Sequence, residues 1–222
     1  LVMEIKQADF VKSSLKSNSY PEFLGIEFAF VGKSNVGKSS LINSLTRRNK
    51  LAKTSKTPGR TQLINFFLIN RTFHFVDLPG YGFAKVPLKI KEEWGKLIEE
   101  YLHSERKKIV FLLLDIRRIP SDEDKSLIEW LEFHNVDFKI IFTKVDKFSN
   151  NQRFNQLKEI KKSFQIDKYE HFFHSSLSND GREKILNYIG KEIELNNNDI
   201  LNNIGGEKTV IDNDITAINE RD

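Results

Sequence analysis

The chain has 222 residues, a formal net charge of +4, 39% hydrophobic residues and no cysteine. Its length suits one domain with an appendage, and its apolar content suffices for a sizeable core. The lack of cysteine excludes disulfides and thiolate metal sites. No apolar run approaches the ~20 residues of a bilayer span, and no basic-then-apolar export signal opens the chain, so a cytoplasmic protein is expected, with an organelle interior as the alternative.

Leu24–Val31 reads as a buried strand. Gly32–Ser39 follows it as Gly-Lys-Ser-Asn-Val-Gly-Lys-Ser, which fits the phosphate-cradling pattern G-x-x-x-x-G-K-[ST]. Leu41, Ile42 and Leu45 then repeat at helical spacing. Strand, glycine loop and helix are the context this motif requires. Backbone N–H groups turn onto phosphate oxygens, and the helix adds its positive end. In that reading Lys38 reaches the β- and γ-phosphates and the Ser39 hydroxyl holds Mg²⁺.

Arg47, Arg48, Lys50, Lys53, Lys56 and Arg60 come next, with no acid between Ser44 and Arg60. Lys85, Lys89 and Lys91 form a second basic group. Such runs are either a solvated surface or the footprint of a polyanion. Lys56–Gln62 is a Gly/Pro-punctuated segment whose Thr61 can add a hydroxyl to a Mg²⁺ shell and whose backbone can sense a γ-phosphate.

Leu63–Asn70 and Thr72–Asp77 read as two strands turning at Asn70-Arg71. Asp77-Leu78-Pro79-Gly80 ends the second. Asp77 can hold Mg²⁺ through a water, and Gly80 can bring its N–H close to a γ-phosphate. Ile90, Trp94, Leu97, Ile98 and Tyr101 share a helical face. Ile109–Asp115 is a near-continuous apolar run, as in a strand covered on both faces. Leu127, Ile128 and Leu131 mark another helix, and Phe138–Phe142 another strand.

Thr143-Lys144-Val145-Asp146 ends that strand. A carboxylate there accepts from the ring N–H and 2-amine of guanine. Adenine would leave it unpaired, which is the strong form of discrimination. The Lys144 stem can lie along the base plane. A helix through Phe154, Leu157, Ile160 and Phe164 leads to a weaker strand, Glu170–Ser175. After it, a backbone N–H of Ser175-Ser176-Leu177 can contact the base oxygen. Ile185, Leu186, Ile189 and Ile193 mark the last helix. From Asn196 the pattern dissolves into a polar tail, expected to lack order. Residues 191–222 carry a net charge of −5, leaving +9 on the preceding 190.

Strands alternating with amphipathic helices predict an α/β fold, a mostly parallel sheet with helices on both faces and one antiparallel edge strand. The phosphate loop alone fits kinases, ATPases and GTPases alike; the later motifs favour a guanine nucleotide, GTP or GDP, over a P-loop small-molecule kinase.

The motifs Gly32–Ser40, Pro58–Phe66, Asp77–Val86, Asp115–Leu131 and Thr143–Lys147 together resemble those of the EngB (YihA/YsxC) GTPases, within the Era/TrmE-like translation-associated group. The resemblance covers about residues 5–195. It implies a P-loop NTPase of Ras-like fold that hydrolyses GTP with Mg²⁺, as a monomer, in assembly of the large ribosomal subunit and its rRNA. It also implies a link to cell division and septation, read here as downstream. By position it implies that Gly32, Lys33, Ser34, Asn35, Val36, Gly37, Lys38 and Ser39 bind phosphates. Ser39 and Thr61 would ligate Mg²⁺ directly. Gly59, Arg60, Thr61, Gln62 and Leu63, with Asp77, Leu78, Pro79 and Gly80, would face the γ-phosphate. Thr143, Lys144, Val145, Asp146, Ser175, Ser176 and Leu177 would hold guanine. Where Ras-like enzymes place a water-orienting glutamine, this chain has Tyr81, so slow intrinsic hydrolysis is expected. Asn35 matches the loop asparagine that ligates K⁺ in related GTPases, which would place it beside Lys38 and Thr61 in catalysis. The alternative function is a GTP-gated module that signals to proteins.

Overall fold

A computed structural model of the protein describes residues 3–53, 63–82 and 88–219. In chain order the elements are β1 (Ala8–Ser14), β2 (Glu27–Gly32), α1 (Lys38–Thr46), β3 (Ile64–Ile69), β4 (Phe73–Asp77), α2 (Leu88–His103), β5 (Lys108–Asp115), α3 (Asp122–Phe133), β6 (Phe138–Thr143), α4 (Asn150–Ser163), β7 (His171–Phe173) and α5 (Arg182–Asn219). The seven strands form one sheet in the order β1-β3-β4-β2-β5-β6-β7.

The two-residue period of a strand divides the core in two. Phe28 and Phe30 of β2 face one way and pack with Leu41, Ile42 and Leu45 of α1 and Ile185, Leu186 and Ile189 of α5. Ala29 and Val31 face the other way, toward Leu97, Ile98 and Tyr101 of α2, Ile128 and Leu131 of α3 and Ile160 of α4. Helices therefore cover both faces, and β2 is buried at every position. The expected architecture holds.

One detail differs. Only β3 runs against the other strands, but it is not the edge: β1 pairs with it outside, antiparallel from Ala8↔Ile69 to Ser14↔Ile64. Periodicity does not reveal β1, because Phe10 stays 53% exposed and the strand buries only its ends. What recruits it is Asn70, in a turn whose central residues Asn70 and Arg71 both have positive φ, 48° and 61°, as in a type I′ hairpin. The Asn70 side chain accepts from the N–H groups of Lys6 (2.8 Å) and Gln7 (3.1 Å) and donates to the Glu4 carbonyl (2.8 Å).

The boundary expected near Asn196 falls inside α5. Asn196 is only 3% exposed, and one turn further Asp199 pairs with Lys107 at 3.3 Å. The helix continues through the polar stretch because packing against the domain, rather than apolar periodicity, supports this part of it.

At the sheet end opposite the phosphate loop, Glu27 is fully buried. It accepts from the Tyr101 hydroxyl at 2.9 Å and from the Arg106 guanidinium. A carboxylate so deep is tolerable only with such partners, and the pairing ties the α2–β5 connection to β2.

Candidate nucleotide-binding site

The phosphate loop leaves the end of β2 at Gly32. A Cβ there would come within 2.8 Å of the Leu113 carbonyl oxygen, so the loop lies closer to β5 than any other residue permits. Gly37 has a φ of 113°, a conformation glycine adopts without cost. α1 starts at once, with no side-chain cap. Among the described residues, the N–H groups of Asn35, Gly37, Lys38, Ser39 and Ser40 find no acceptor. A run of unsatisfied donors at a helix start is an anion cradle.

The loop is held from behind by the end of β6. The Thr143 hydroxyl donates to the Val36 carbonyl at 2.6 Å, and the Lys144 ammonium to the Asn35 carbonyl at 2.7 Å and to Asp115 at 2.9 Å. Asp146 accepts from the Ser175 hydroxyl at 2.8 Å and pairs with Lys147 at 3.2 Å. Partial burial opposes its ionisation, yet these two partners hold its carboxyl below the usual range. The Ser175 N–H goes to the Asp180 carbonyl and that of Leu177 to the Ser175 hydroxyl. Among the described residues Ser176 alone of these three keeps an N–H with no acceptor. Asp146 and the unbonded Ser176 N–H thus lie on neighbouring turns tied together through the Ser175 hydroxyl.

On the other rim, Lys38 pairs with Asp77, and both side chains are nearly buried. Asp77 ends β4, and the N–H of Leu78 donates to the Phe30 carbonyl, continuing the strand pairing. Pro79 and Gly80 follow, and Gly80 stands so near the loop that a Cβ on it would lie 3.3 Å from the Ser34 backbone. Ser39 sits half-buried in the first turn of α1. Leu63 is half-buried just before β3, in a cavity shared with Lys53 and Asp77. Gly59, Arg60, Thr61 and Gln62 lie outside the described residues, as do Lys56 and Lys85. Arg47, Arg48, Lys50 and Lys53 are exposed, and none forms an ion pair among the described residues.

Comparison with known proteins adds independent support. Residues 27–144 match the family model described as "50S ribosome-binding GTPase". The chain is similar to the probable GTP-binding protein EngB of Fusobacterium nucleatum, 64% identical over 196 residues, covering 88% of this chain and all of that one. It is 50% identical to the namesake in Clostridium kluyveri, covering 86% of this chain and 98% of the other.

The chain belongs to the EngB family of GTP-binding proteins.

As a P-loop member of that family it is a GTPase. A crystal structure of a probable EngB superimposes with a TM-score of 0.59 at 26% identity, over 76% of this chain and 98% of that one. Era of Aquifex aeolicus, bound to GDP·AlF4⁻, superimposes at 0.61 over 76% of this chain and 57% of that one; at 20% identity it shows the shared fold alone.

Around this EngB site stand further residues to which the motifs gave no role. Asp115 is gripped by Arg117 (2.7 and 2.9 Å) as well as by Lys144. Despite desolvation, these partners hold its carboxyl far below the usual range. Asp115 opens the motif Asp115–Leu131, but the motif by itself gave it no partner in the site. His174, fully buried beside Ser175, faces the Ser44 hydroxyl of α1 at 3.0 Å. That hydroxyl donates to Asn179 Oδ1 at 3.0 Å, so it accepts from Nε2–H. Among the described residues Nδ1 has no partner. Arg182 completes the seam, donating to the carbonyls of Ser44 and Leu45 at 2.8 and 2.7 Å.

Burial pulls the His174 pKa down to about 4 from 6.5. Between those values the unfolded chain binds the proton and the folded protein does not, so stability falls as pH drops from 6.5 toward 4. The loss amounts to about 3 kcal/mol at most. Urea unfolding of wild type and His174→Gln across that window should show a shallower acid slope in the variant.

Proposed function

We propose that this EngB-family GTPase holds GTP or GDP between the phosphate loop and the Asp146–Ser176 edge, and that it acts as a nucleotide switch on the large ribosomal subunit precursor. The observation that carries the nucleotide reading is the direct bonding of Thr143 and Lys144 to the loop carbonyls, which makes phosphate cradle and base edge one rigid unit.

In this reading the amides of Asn35 and Gly37–Ser40, with Lys33, Ser34 and Val36 shaping the loop, receive the phosphate oxygens. Lys38 exchanges Asp77 for the β- and γ-oxygens. Asp146 accepts from guanine N1–H and its 2-amine, the Ser176 N–H donates to O6, and the Lys144 stem lies along the base. Gly59–Leu63 and Asp77–Gly80 face the γ-phosphate. Ser39 and Thr61, with Asp77 through a water, would hold Mg²⁺, which when bound neutralises charge on the β- and γ-oxygens. The donor set fits that ion: hydroxyl and carboxylate oxygens are hard ligands. No cluster of three or more His, Asp or Glu side chains competes among the described residues, so phosphate and water would complete the shell.

Asn35 fits a role toward K⁺. It sits at φ 61° with its carbonyl fixed by Lys144 and its side chain exposed at the loop tip. A monovalent cation there supplies charge where the transition state develops it. Tyr81 has no carboxamide to orient water, which fits slow unassisted turnover.

The ribosomal assignment draws on the description of the family model and on the exposed basic stretch from Arg47 to Lys53. Phosphate and shape contacts suit that surface better than base readout. The chain acts as a monomer in the cytoplasm; among the described residues no helix is long and apolar enough to cross a membrane. An effect on cell division would follow from ribosome supply.

Calorimetry tests the base edge. Asp146→Asn should weaken GTP by about 100-fold or more and admit xanthosine triphosphate; unchanged GTP preference, or tight ATP binding by the wild type, refutes the assignment. GTP hydrolysis should run several-fold faster in K⁺ than in Na⁺ buffer and lose that difference in Asn35→Ala; equal rates remove the K⁺ role. Co-sedimentation with large-subunit precursors should be stronger with a non-hydrolysable GTP analogue than with GDP, and weaken as salt rises. Indifference to nucleotide defeats the switch, and recovery of a protein effector without ribosomal particles favours a signalling module.

A further inference from the structure

Tyr81 follows Gly80 directly, and the structure gives it three hydrogen bonds. Its N–H donates to the Gly32 carbonyl at 3.3 Å, and its carbonyl accepts the Ser34 N–H at 2.9 Å. Together they extend the β2–β4 pairing by one bridge, with Lys33 opposite Tyr81. The third bond crosses to α3: the Tyr81 hydroxyl donates to Asp124 Oδ1 at 2.7 Å.

Asp124 is not free to follow a moving tyrosine. It is 5% exposed, and its other oxygen accepts the N–H and hydroxyl of Ser121, each at 2.8 Å. That is the reciprocal half of the capping box that starts α3. A second tie runs alongside, from Lys33 to Glu123 at 3.1 Å. The ring of Tyr81 packs against the apolar layer under α3. The side chain is therefore turned toward α3, with its hydroxyl engaged, and its backbone is held on the phosphate loop from both sides.

We propose that Tyr81 is a positioning residue of the GTPase: latched to Asp124, it holds the Gly80 turn against the phosphate loop in the place where a γ-phosphate meets it. GTP then binds without having to order this turn. GDP, which has no γ-phosphate, gains nothing from the latch. Burial, reinforced by Asp124, holds the Tyr81 phenol well above its ordinary pKa, so the donor stays protonated over the working range. The inference rests on the contact between Gly80 and the γ-phosphate proposed above.

Tyr81→Phe removes the hydroxyl and keeps the ring. Calorimetry with GDP and with a non-hydrolysable GTP analogue should show the analogue weakened about fivefold to tenfold and GDP unchanged within about twofold, with kcat reduced at an unchanged melting temperature. Asp124→Asn should lower the analogue-to-GDP affinity ratio in the same direction. The double variant should be no worse than the more affected single one, since both break one bond. Equal weakening of both nucleotides, or an unchanged ratio in Tyr81→Phe, overturns the latch. Gly80→Ala separates the two readings. If it weakens the analogue while Tyr81→Phe does not, the γ-phosphate contact stands and the latch falls; if it weakens neither nucleotide, both fall.

Discussion

The hydrogen bonds from Thr143 and Lys144 to the carbonyls of Val36 and Asn35 are the constraint on which the site depends. In a trans peptide the C=O and the following N–H point in opposite directions, and no cis bond interrupts this loop. Fixing the Val36 carbonyl toward β6 therefore turns the Gly37 N–H the other way, into the cradle. The same two residues begin the segment proposed to meet the base. In the proposed reading, phosphate and base positions are set by these two bonds between chain segments more than 100 residues apart in sequence, and GTPase activity in this EngB-family protein builds on that frame.

Among the described residues, five cations around the site each have a local counter-ion. Lys144 and Arg117 share Asp115, Lys38 has Asp77, Lys33 has Glu123 and Lys147 has Asp146. Such pairs orient their side chains more than they stabilise the fold, because desolvation offsets much of the attraction. Asp115 is the clearest case. Among the described residues outside its own motif, its carboxylate pairs only with Lys144, yet without it that ammonium would lack the anchor that aims it at the loop. Glu27 does the same for the opposite end of the sheet, so the apolar layers between the two ends carry the bulk of the burial.

Much of this was legible in the linear chain. The strands from β2 to β6 appear as mostly apolar runs because helices cover both sheet faces and demand hydrophobic residues at most positions. The helices appear as 3.6-residue stripes. The phosphate loop and the Thr-Lys-Val-Asp segment are legible because their chemistry uses residues contiguous in sequence. β1 escaped because an edge strand with one solvated side needs no such pattern, and the run of α5 past Asn196 escaped because packing on a neighbouring segment compensates for a polar sequence.

The amino-acid sequence by itself determined the fold class, the loop that cradles phosphate and the preference for guanine, since each is written in local periodicity or in a few adjacent residues. Tertiary structure alone decided that β3 lies inside rather than at the edge, that His174 joins the base loop to α1, and that Tyr81 points to Asp124 rather than into the site. The reason is common to all three. Each depends on a partner distant in the chain, brought near only when burial of the two apolar layers closes the sheet and seats the helices, and no local pattern specifies a partner that the chain has yet to meet.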